Sequence, residues 1–232
     1  MEKYYKIAGL TVKMDSFGRT VEQAKPYECE PCEAPDITIR SNWKLLQQQQ
    51  PQLSDEDCEY LTTGGWFYSS LLKFDGLLLH ASAVVVDGKA YLFSAPCGTG
   101  KSTHTKLWLK VFGDRAEILN DDKPALRQED GAWYAYGTPW SGKHDLNSNM
   151  RVPVAGIAML ERAETNSIQP FTGPQAIFAL LGQTARPPHP AAREKLLEVV
   201  DRLLKEVPLW KLRCNMEENA VLVSYEAMRG KE

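Results

Sequence analysis

Nine residues near the middle of this 232-residue chain have the types and spacing of a phosphate-binding loop. The segment at residues 95–103 reads APCGTGKST and fits the pattern G-x-x-x-x-G-K-[ST] everywhere except at the first position, where Ala95 replaces glycine. Glycines let successive backbone N–H groups turn toward an anion, and the helix that follows adds its positive end. The sequence therefore predicts that this loop binds the phosphates of ATP.

Each residue of the predicted loop has an expected part in nucleotide binding. The expected cofactor-binding residues are Cys97, Gly98, Thr99, Gly100, Lys101, Ser102 and Thr103. Lys101 is also a catalytic candidate because its ammonium group would reach the β and γ phosphates, and the Ser102 hydroxyl is placed for Mg²⁺. The alternative interpretation is a glycine-containing turn in which Lys101 merely lies on the first turn of a helix.

Two adjacent acids, Asp121 and Asp122, follow a short apolar run after the predicted loop. Consecutive side chains at the end of a strand diverge to opposite faces. One acid can therefore orient Mg²⁺ while the other faces the phosphate acceptor as a general base. Without the loop, such a pair would be read as a solvated turn.

Three further features are candidates for the same site, each with a structural alternative. His80 lies in an apolar run and is either a hydrogen-bonded residue of the sheet or the partner of an active-site carboxylate. Arg151 is a candidate to stabilise charge on the transferred phosphoryl group, or is a surface residue. The segment at residues 137–143, GTPWSGK, could close on phosphates or be a connector with Trp140 in a surface groove.

Composition excludes several classes of protein. Lys plus Arg number 27 against 30 Asp plus Glu, a formal net charge of −3 without a basic run, so nucleic acid is not an expected partner. The chain has neither the apolar core of a signal peptide in residues 1–6 nor a membrane-spanning run, so we expect a cytoplasmic protein that does not bind a membrane.

The five cysteines are too few and too irregularly spaced for a disulfide-stapled domain, so free thiols are expected. Cys29 and Cys32 have the spacing of half a zinc site or of a redox pair. The chain offers no second pair of cysteines, and a structural metal is therefore not the favoured interpretation.

The first 64 residues are predicted to form a small β-rich element, and residues 65–232 a P-loop kinase-like domain. Strands are expected at residues 5–14 and 36–40, and a linker near residues 43–55. Asp87-Gly88 separates apolar runs at residues 77–86 and 89–94, and this dipeptide indicates an antiparallel hairpin because both residues tolerate positive φ. A helix at residues 102–112 and a strand at residues 116–119 follow the loop in βαβ order.

The remaining residues alternate between strand and helix signals, so the predicted class is mixed α/β. Strands are expected at residues 125–128, 133–136, 154–160, 209–213 and 221–225, and helices at residues 174–184 and 191–205.

The motifs together resemble the C-terminal catalytic domain of HPr kinase/phosphorylase and its relative, ATP-dependent phosphoenolpyruvate carboxykinase. The resemblance covers roughly residues 80–160 and extends, in uncharacterised HPr-kinase-like proteins, to residues 137–143 and 209–214. The matching residues are Leu79-His80, Cys97 to Ser102, Asn120-Asp121-Asp122, and Arg151 before Gly156-Ile157.

The resemblance implies a P-loop fold in which the strand before the loop belongs to an antiparallel hairpin of a mixed sheet. It implies that His80 contacts the catalytic aspartate, that Asp121 is the base toward a serine hydroxyl, and that Asp122 and Ser102 hold Mg²⁺. The chain departs from the family at Ala95, at Cys97, and at Asn147 and Asn149, which replace an expected acid.

We therefore expect a magnesium- and ATP-dependent kinase that phosphorylates a hydroxyl, preferably a serine of a peptide or protein. A small hydroxylated metabolite stays open as the acceptor, as does a nucleotide-binding regulatory module without catalysis. A carboxykinase is less favoured because the chain is short of additional cationic sites. The sequence leaves open whether the protein forms a homo-oligomer.

Overall fold

The computed structural model describes residues 3–230, and in them the chain forms twelve strands and seven helices. The strands are β1 (Lys3–Ile7), β2 (Leu10–Met14), β3 (Ile37–Ile39), β4 (Gly76–Leu78), β5 (Ala81–Val86), β6 (Lys89–Ser94), β7 (Ala116–Asn120), β8 (Ala125–Glu129), β9 (Ala132–Tyr136), β10 (Arg151–Arg162), β11 (Ser167–Pro170) and β12 (Leu209–Cys214). The helices are α1 (Gly18–Ala24), α2 (Trp43–Gln49), α3 (Asp55–Leu71), α4 (Lys101–Phe112), α5 (Pro174–Leu181), α6 (Pro190–Glu206) and α7 (Asn219–Met228). The mixed α/β class expected from the sequence is confirmed.

The N-terminal residues form a small three-stranded sheet. β1 and β2 pair antiparallel around Ala8 and Gly9, whose φ angles are +51° and +76°, and β3 runs parallel to β2. The single strand predicted at residues 5–14 is therefore a hairpin, because these two residues turn the chain back on itself.

The remaining strands form one large, mixed sheet in the order β4-β8-β9-β10-β6-β5-β7, with β12 and then β11 added beside β10. The long strand β10 pairs antiparallel with β9 at its start and parallel with β6 and β12 further on. A bulge between Val154 and Gly156 separates the two parts. β10 therefore joins the half of the sheet around β8 and β9 to the half that holds the glycine-rich segment.

The predicted hairpin at Asp87-Gly88 is present, and it precedes the glycine-rich segment. β5 and β6 pair antiparallel, and Asp87 and Gly88 have φ angles of +50° and +75°. β7 pairs with β5 rather than with β6, so β5 lies between the two strands that flank α4. The ends of β6 and β7 consequently lie at one edge of the sheet, on either side of β5.

The apolar run at residues 77–86 is two strands, not one. β4 pairs with β8 and β5 with β6, and the chain changes partners at Leu79 and His80. There the backbone N–H of Leu79 donates to Pro124 and that of His80 to Gln183. The sequence stays apolar across the break because both β4 and β5 are buried. The hydrophobic pattern therefore did not reveal where one strand ends and the next begins.

The strand predicted at residues 221–225 is wrong, because this segment belongs to helix α7. Val221, Ser224 and Met228 are buried at spacings of three and four residues, which is the period of a helix face. That face packs against β12 and α4 in a cluster with Leu212 and Trp108. Burial of one helix face outweighed the β propensity of the two valines.

The linker predicted near residues 43–55 contains helix α2 and the start of α3. Ser54 caps α3, its Oγ accepting a hydrogen bond from the Asp57 backbone N–H at 3.1 Å. Because α3 runs without a break through residues 64 and 65, the division of the chain there stays a prediction. Positions 1–2 and 231–232 of the two predicted domains lie outside the described residues.

Three apolar clusters hold these layers together. One lies between the sheet and helices α5 and α6, and a second lies on the opposite face beneath α4 and α7. The third joins the N-terminal sheet and α3 to Tyr136 and Trp140 of the large-sheet region. Within residues 3–230 no helix has the length and apolar character needed to cross a membrane.

Candidate functional site

The glycine-rich loop, residues 95–103, leads from β6 into α4 and adopts a conformation that requires its two glycines. Gly98 and Gly100 have φ angles of +77° and +122°, which residues with a Cβ atom rarely adopt. Helix α4 begins at Lys101, directly after the second glycine. The N–H groups of its first turn have no acceptor within the helix, so they are free to bind an anion.

Lys101 is folded back along the loop rather than extended into solvent. Its Nζ donates hydrogen bonds to the carbonyl oxygens of Ala95 at 2.8 Å and Pro96 at 3.4 Å, and the residue is 7% exposed. Burial lowers the pKa of Lys101, although the nearby carboxylates of Asp122 and Asp121 oppose the shift. A surface lysine on a helix would be solvated, whereas Lys101 is buried against the loop.

Asp121 follows β7 and is held inside the protein by a short hydroxyl chain. Its Oδ1 accepts a hydrogen bond from Ser82 Oγ at 2.5 Å, and Ser82 Oγ lies 2.7 Å from Thr105 Oγ1 on α4. The backbone N–H of Asp121 donates to Leu146. These contacts join β5, α4 and β7 behind the carboxylate and fix its position relative to the glycine-rich loop.

Asp122 lies between a histidine and a lysine. His80 Nε2 is 3.4 Å from Asp122 Oδ1, and the Lys123 ammonium group pairs with Oδ2. His80 Nδ1 is 2.9 Å from Gln183 Oε1. Burial lowers the pKa of His80, and the Lys101 ammonium group lowers it further, against the opposing effects of Gln183 and Asp122.

The resemblance implied that His80 contacts the catalytic aspartate, with Asp121 in that role. The contact is instead made with Asp122, the second acid of the pair. The Asn120 side chain explains the local arrangement, because its Oδ1 accepts from the backbone N–H groups of Asp122 and Lys123 at 2.9 and 2.7 Å. This turn directs the two carboxylates to different neighbours.

The loop, the histidine and both acids meet in a cleft of about 280 Å³. The cleft is lined by His80, Cys97, Gly98, Gly100, Lys101, Ser102, Thr103, Asp121, Asp122 and Arg162. The structure thus brings together the expected site residues except Thr99 and Arg151. Thr99 lines an adjoining pocket.

Arg151 lies apart from this cleft. It begins β10, whereas Arg162 ends the same 12-residue strand beside the glycine-rich loop. The Arg151 guanidinium pairs with Glu129 at 3.0 Å and covers the ring of Tyr134 at 3.4 Å. Its neighbours are residues of β8 and β9, and these contacts are those of an arginine that stabilises the sheet.

Arg162, rather than Arg151, contacts the glycine-rich loop. Its Nε donates to the carbonyl oxygen of Thr99 at 2.9 Å and its terminal nitrogen to that of Gly98 at 2.5 Å. Sequence reasoning missed Arg162, Ser82 and Lys123. The signal for Arg162 was topological: β10 and β6 are parallel, so their carboxyl ends meet at one edge of the sheet.

The second glycine and hydroxyl segment, residues 137–143, is a packed connector near the acids. Trp140 is fully buried and stacks on Phe67 at 4.9 Å, so it does not fill a surface groove. The Tyr60 hydroxyl accepts from the Gly142 backbone N–H at 2.9 Å. A Cβ atom at Gly142 would lie 3.1 Å from that of Asp122, so this glycine allows the segment to approach the second acid.

A pocket of about 330 Å³ adjoins the glycine-rich loop on the side of α4 and β12. Gly100, Thr103 and Arg162 line both this pocket and the cleft, and Leu107, Met216 and other side chains give the pocket apolar walls. His104, which is 3% exposed, also lines it. The cleft and this pocket are therefore neighbours that share three lining residues.

Cys29 and Cys32 are free thiols, as expected. Among residues 3–230 no group of three or more His, Cys, Asp or Glu side chains is arranged to hold a metal ion by itself. Burial raises the pKa of the Cys29 thiol. The pair lies in the N-terminal part of the chain and does not contribute to the cleft.

Comparison with known proteins gives a family match and a structural likeness at low similarity. Residues 63–220, more than half of the chain, match the family model described as SynChlorMet cassette protein ScmC, whereas no curated protein matches. The HPr(Ser) kinase/phosphatase from Coxiella burnetii is similar with a TM-score of 0.37 and 15% identity, covering 66% of this chain and 99% of that chain. The matching family is therefore the one described as ScmC.

Proposed function

This chain belongs to the family described as SynChlorMet cassette protein ScmC, and we propose that it is a magnesium- and ATP-dependent kinase that phosphorylates a serine hydroxyl of a peptide or protein. The observation that carries the proposal is the single cleft in which Lys101, Ser102 and the two acids face one another. These residue types supply phosphate binding, metal binding and proton transfer, which are the three requirements of phosphoryl transfer.

Two contacts of the loop support the proposed binding of the phosphates of ATP. Arg162 binds the carbonyl oxygens of Gly98 and Thr99, and a trans peptide carries its N–H opposite its carbonyl oxygen. The Gly100 N–H therefore points away from Arg162, as the cradle of an anion requires. Phosphate oxygens would replace the carbonyl oxygens of Ala95 and Pro96 as partners of the Lys101 ammonium group.

Ser102 and Asp122 supply the oxygen donors that Mg²⁺ prefers, and both line the cleft. Mg²⁺, when bound, neutralises charge on the transferred phosphoryl group. The Lys123 ammonium group now pairs with Asp122 and would have to release that carboxylate for the metal. The residues present therefore fit a metal that binds together with the nucleotide rather than before it.

Asp121 is the proposed base toward the acceptor. Ser82 binds its Oδ1, and among the described residues no hydrogen bond reaches Oδ2, which leaves that oxygen for the acceptor proton. The contact of His80 with Asp122 supports the reversed assignment, in which Asp122 takes the proton and Asp121 serves the metal. The two versions use the same cleft and are separated by substitution of each acid.

The pocket beside the loop is suited to the nucleoside half of ATP. Trp108 Nε1 donates to His104 Nε2 at 3.1 Å, and an indole nitrogen can only donate, so the ring proton of neutral His104 is on Nδ1. That N–H is buried and has no partner among the described residues. A side-chain movement that exposes this N–H to the pocket would let a nitrogen or oxygen acceptor of the nucleoside satisfy it.

Transfer of the terminal phosphate is the experiment that tests this function. The protein is incubated with Mg²⁺ and γ-labelled ATP, and separately with serine-containing peptides, with small hydroxylated metabolites and with small carboxylic acids. Label in peptides supports the proposal, and label only in a metabolite replaces the acceptor class. Tight ATP binding without label in any acceptor supports the regulatory-module alternative, and label in a carboxylic acid product supports the carboxykinase.

A further inference from the structure

A second pocket meets the cleft at His80, on the side away from the glycine-rich loop. Its volume is about 290 Å³, and its walls are α3, the Trp140 segment and the chain after α5. Gly64 and Gly65 form one wall, and we call this cavity the glycine-pair pocket. Because His80 lines both cavities, a group in the pocket lies one side chain away from the phosphate cleft.

The polar side chains of the glycine-pair pocket already have partners inside the protein. The Tyr60 hydroxyl accepts from Gly142 N–H at 2.9 Å, and Trp140 Nε1 donates to Thr63 Oγ1 at 3.3 Å. The Tyr68 hydroxyl donates to the backbone carbonyl oxygen that follows the acid pair. The pocket therefore offers mainly aromatic rings and glycine backbone to a ligand.

The charged and amide groups that line the glycine-pair pocket also have partners inside the protein. The Lys123 ammonium group pairs with Asp122, and Gln183 Oε1 lies beside His80 Nδ1. A polar metabolite would lose hydration on entering such a pocket without regaining its hydrogen bonds, which is costly. An apolar side chain would instead gain from leaving water.

We propose that the glycine-pair pocket binds an apolar or aromatic side chain of the peptide acceptor, next in the peptide to the hydroxyl residue that is phosphorylated. This inference rests on the proposed kinase function and specifies its acceptor. The pocket lies just below the roughly 300 Å³ at which sites for drug-sized ligands begin, so it suits one side chain rather than a whole metabolite.

The surface at the mouth of the pocket is also apolar. Leu61, one turn before Gly65 on α3, lines the pocket and is 47% exposed. A peptide that fills the pocket would also cover this leucine, whereas a small metabolite would leave it in water. Neighbouring Cα atoms of a peptide are 3.8 Å apart, so adjacent residues can occupy the pocket and the cleft together.

The reaction at the cleft follows from this placement. The acceptor hydroxyl oxygen forms a bond to the γ-phosphorus of ATP, and the bond from that phosphorus to the β,γ-bridging oxygen breaks. The hydroxyl proton passes to the base of the acid pair, and ADP leaves with the bridging oxygen. The side chain in the glycine-pair pocket takes no part in bond changes and acts by fixing the position of the hydroxyl.

Gly65 provides a substitution that fills the pocket without disturbing the core. A Cβ atom at Gly65 has no neighbour within 4 Å, whereas one at Gly64 would lie 3.0 Å from Trp140 Cδ1. Gly65→Leu places a branched side chain at the pocket, and Gly65→Ala is the matched control that adds a single carbon. Both substitutions raise helix propensity, so both variants are expected to fold.

The test compares three serine peptides that differ only in the residue next to serine, which is Phe, Ala or Asp. With the wild type, we expect the Phe peptide to be phosphorylated with a kcat/KM about tenfold above that of the Ala peptide, and the Asp peptide least well. Gly65→Leu should remove the advantage of Phe over Ala, and Gly65→Ala should keep it. ATP affinity should be the same in all three proteins.

Two results separate this inference from the kinase proposal. Equal phosphorylation of the three peptides, or an undiminished preference for Phe in Gly65→Leu, would overturn the inference and leave the kinase intact. If the wild type neither binds ATP nor transfers phosphate, the kinase proposal fails. In that case the inference about the pocket is tested by equilibrium binding of fluorescein-labelled Phe and Asp peptides in the absence of nucleotide. Tighter binding of the Phe peptide that is lost in Gly65→Leu supports the inference. Equal binding of the two peptides contradicts it.

Discussion

Arg162 donates a hydrogen bond to the carbonyl oxygen of Thr99 at 2.9 Å, and so the end of β10 is fastened to the glycine-rich loop. Its second bond, to the carbonyl oxygen of Gly98, turns the carbonyl side of the loop toward the arginine. A cation at this position both holds the loop in shape and adds positive charge beside the cleft. β10 therefore contributes to the candidate site although it is remote from the loop in sequence.

Arg162→Ala is expected to weaken ATP binding about tenfold, because charge-assisted hydrogen bonds contribute about 1.5–3 kcal/mol and 1.4 kcal/mol is a factor of ten. Arg151→Ala should leave ATP affinity unchanged and slightly lower thermal stability, since its partners are Glu129 and Tyr134. Titration calorimetry and thermal melts of both variants measure these effects. If Arg151→Ala weakened ATP binding more than Arg162→Ala, the result would support the role in phosphoryl transfer expected for Arg151.

Substitution of the acid pair separates proton transfer from metal binding. Asp121→Asn should lower kcat at saturating ATP by about 10² to 10⁴, the contribution of a general base, with little change in ATP affinity. Asp122→Asn should raise the Mg²⁺ concentration required for half-maximal rate. Rates measured over a Mg²⁺ series for both variants give the answer. If Asp122→Asn instead lowers kcat and Asp121→Asn raises the Mg²⁺ requirement, the reversed assignment is correct. Wild-type rates in both variants would show that the pair is only a turn.

Glu59 gives the protein a predictable dependence of stability on pH. It is fully buried on α3; its Oε2 accepts from the Thr20 hydroxyl, and its Oε1 has no partner among the described residues. Burial raises the pKa of Glu59 from 4.5 to about 7, against the opposing effect of the Thr20 hydrogen bond. Between these two pKa values the folded protein binds more protons than the unfolded chain.

The free energy of unfolding should therefore fall as pH rises from 4.5 to about 7, and then lose this dependence. Glu59→Gln should flatten the profile and stabilise the protein at pH 8 by about 1 to 3 kcal/mol. Urea unfolding at pH 5 and pH 8 measures both effects. Glu56→Gln, an exposed change on the same helix, is the control, and an unchanged slope in Glu59→Gln would contradict the account.

Local sequence signals predicted much of what surrounds the cleft. The Asp87-Gly88 hairpin, the helix after the loop and the acids after β7 depend on turn chemistry and short apolar runs, which are readable from neighbouring residues. The residues brought by tertiary contacts were not readable in this way. Lys123 and Arg162 are ordinary charged residues in sequence, and they reach the site only through the Asn120 turn and the pairing of β10 with β6.

The wrong expectations have a common physical cause, because hydrophobic runs do not record which partner buries them. Residues 77–86 are apolar throughout but belong to two strands with different partners, and His80 lies at the break between them. Val221 and Leu222 have side chains compatible with either a strand or a helix, and one buried face decided in favour of α7. Tertiary partners therefore decided both segments, and in residues 221–225 they outweighed the local β propensity.

Binding of MgATP to wild-type protein and to Lys101→Ala tests the central claim most directly. The loop account predicts saturable, stoichiometric binding by the wild type in titration calorimetry, weakened about 10- to 150-fold in Lys101→Ala because a charge-assisted contact to phosphate is lost. Lys106→Ala, an exposed lysine on the same helix, should bind as the wild type does. Equal affinity of wild type and Lys101→Ala, or no binding by the wild type, would contradict the account.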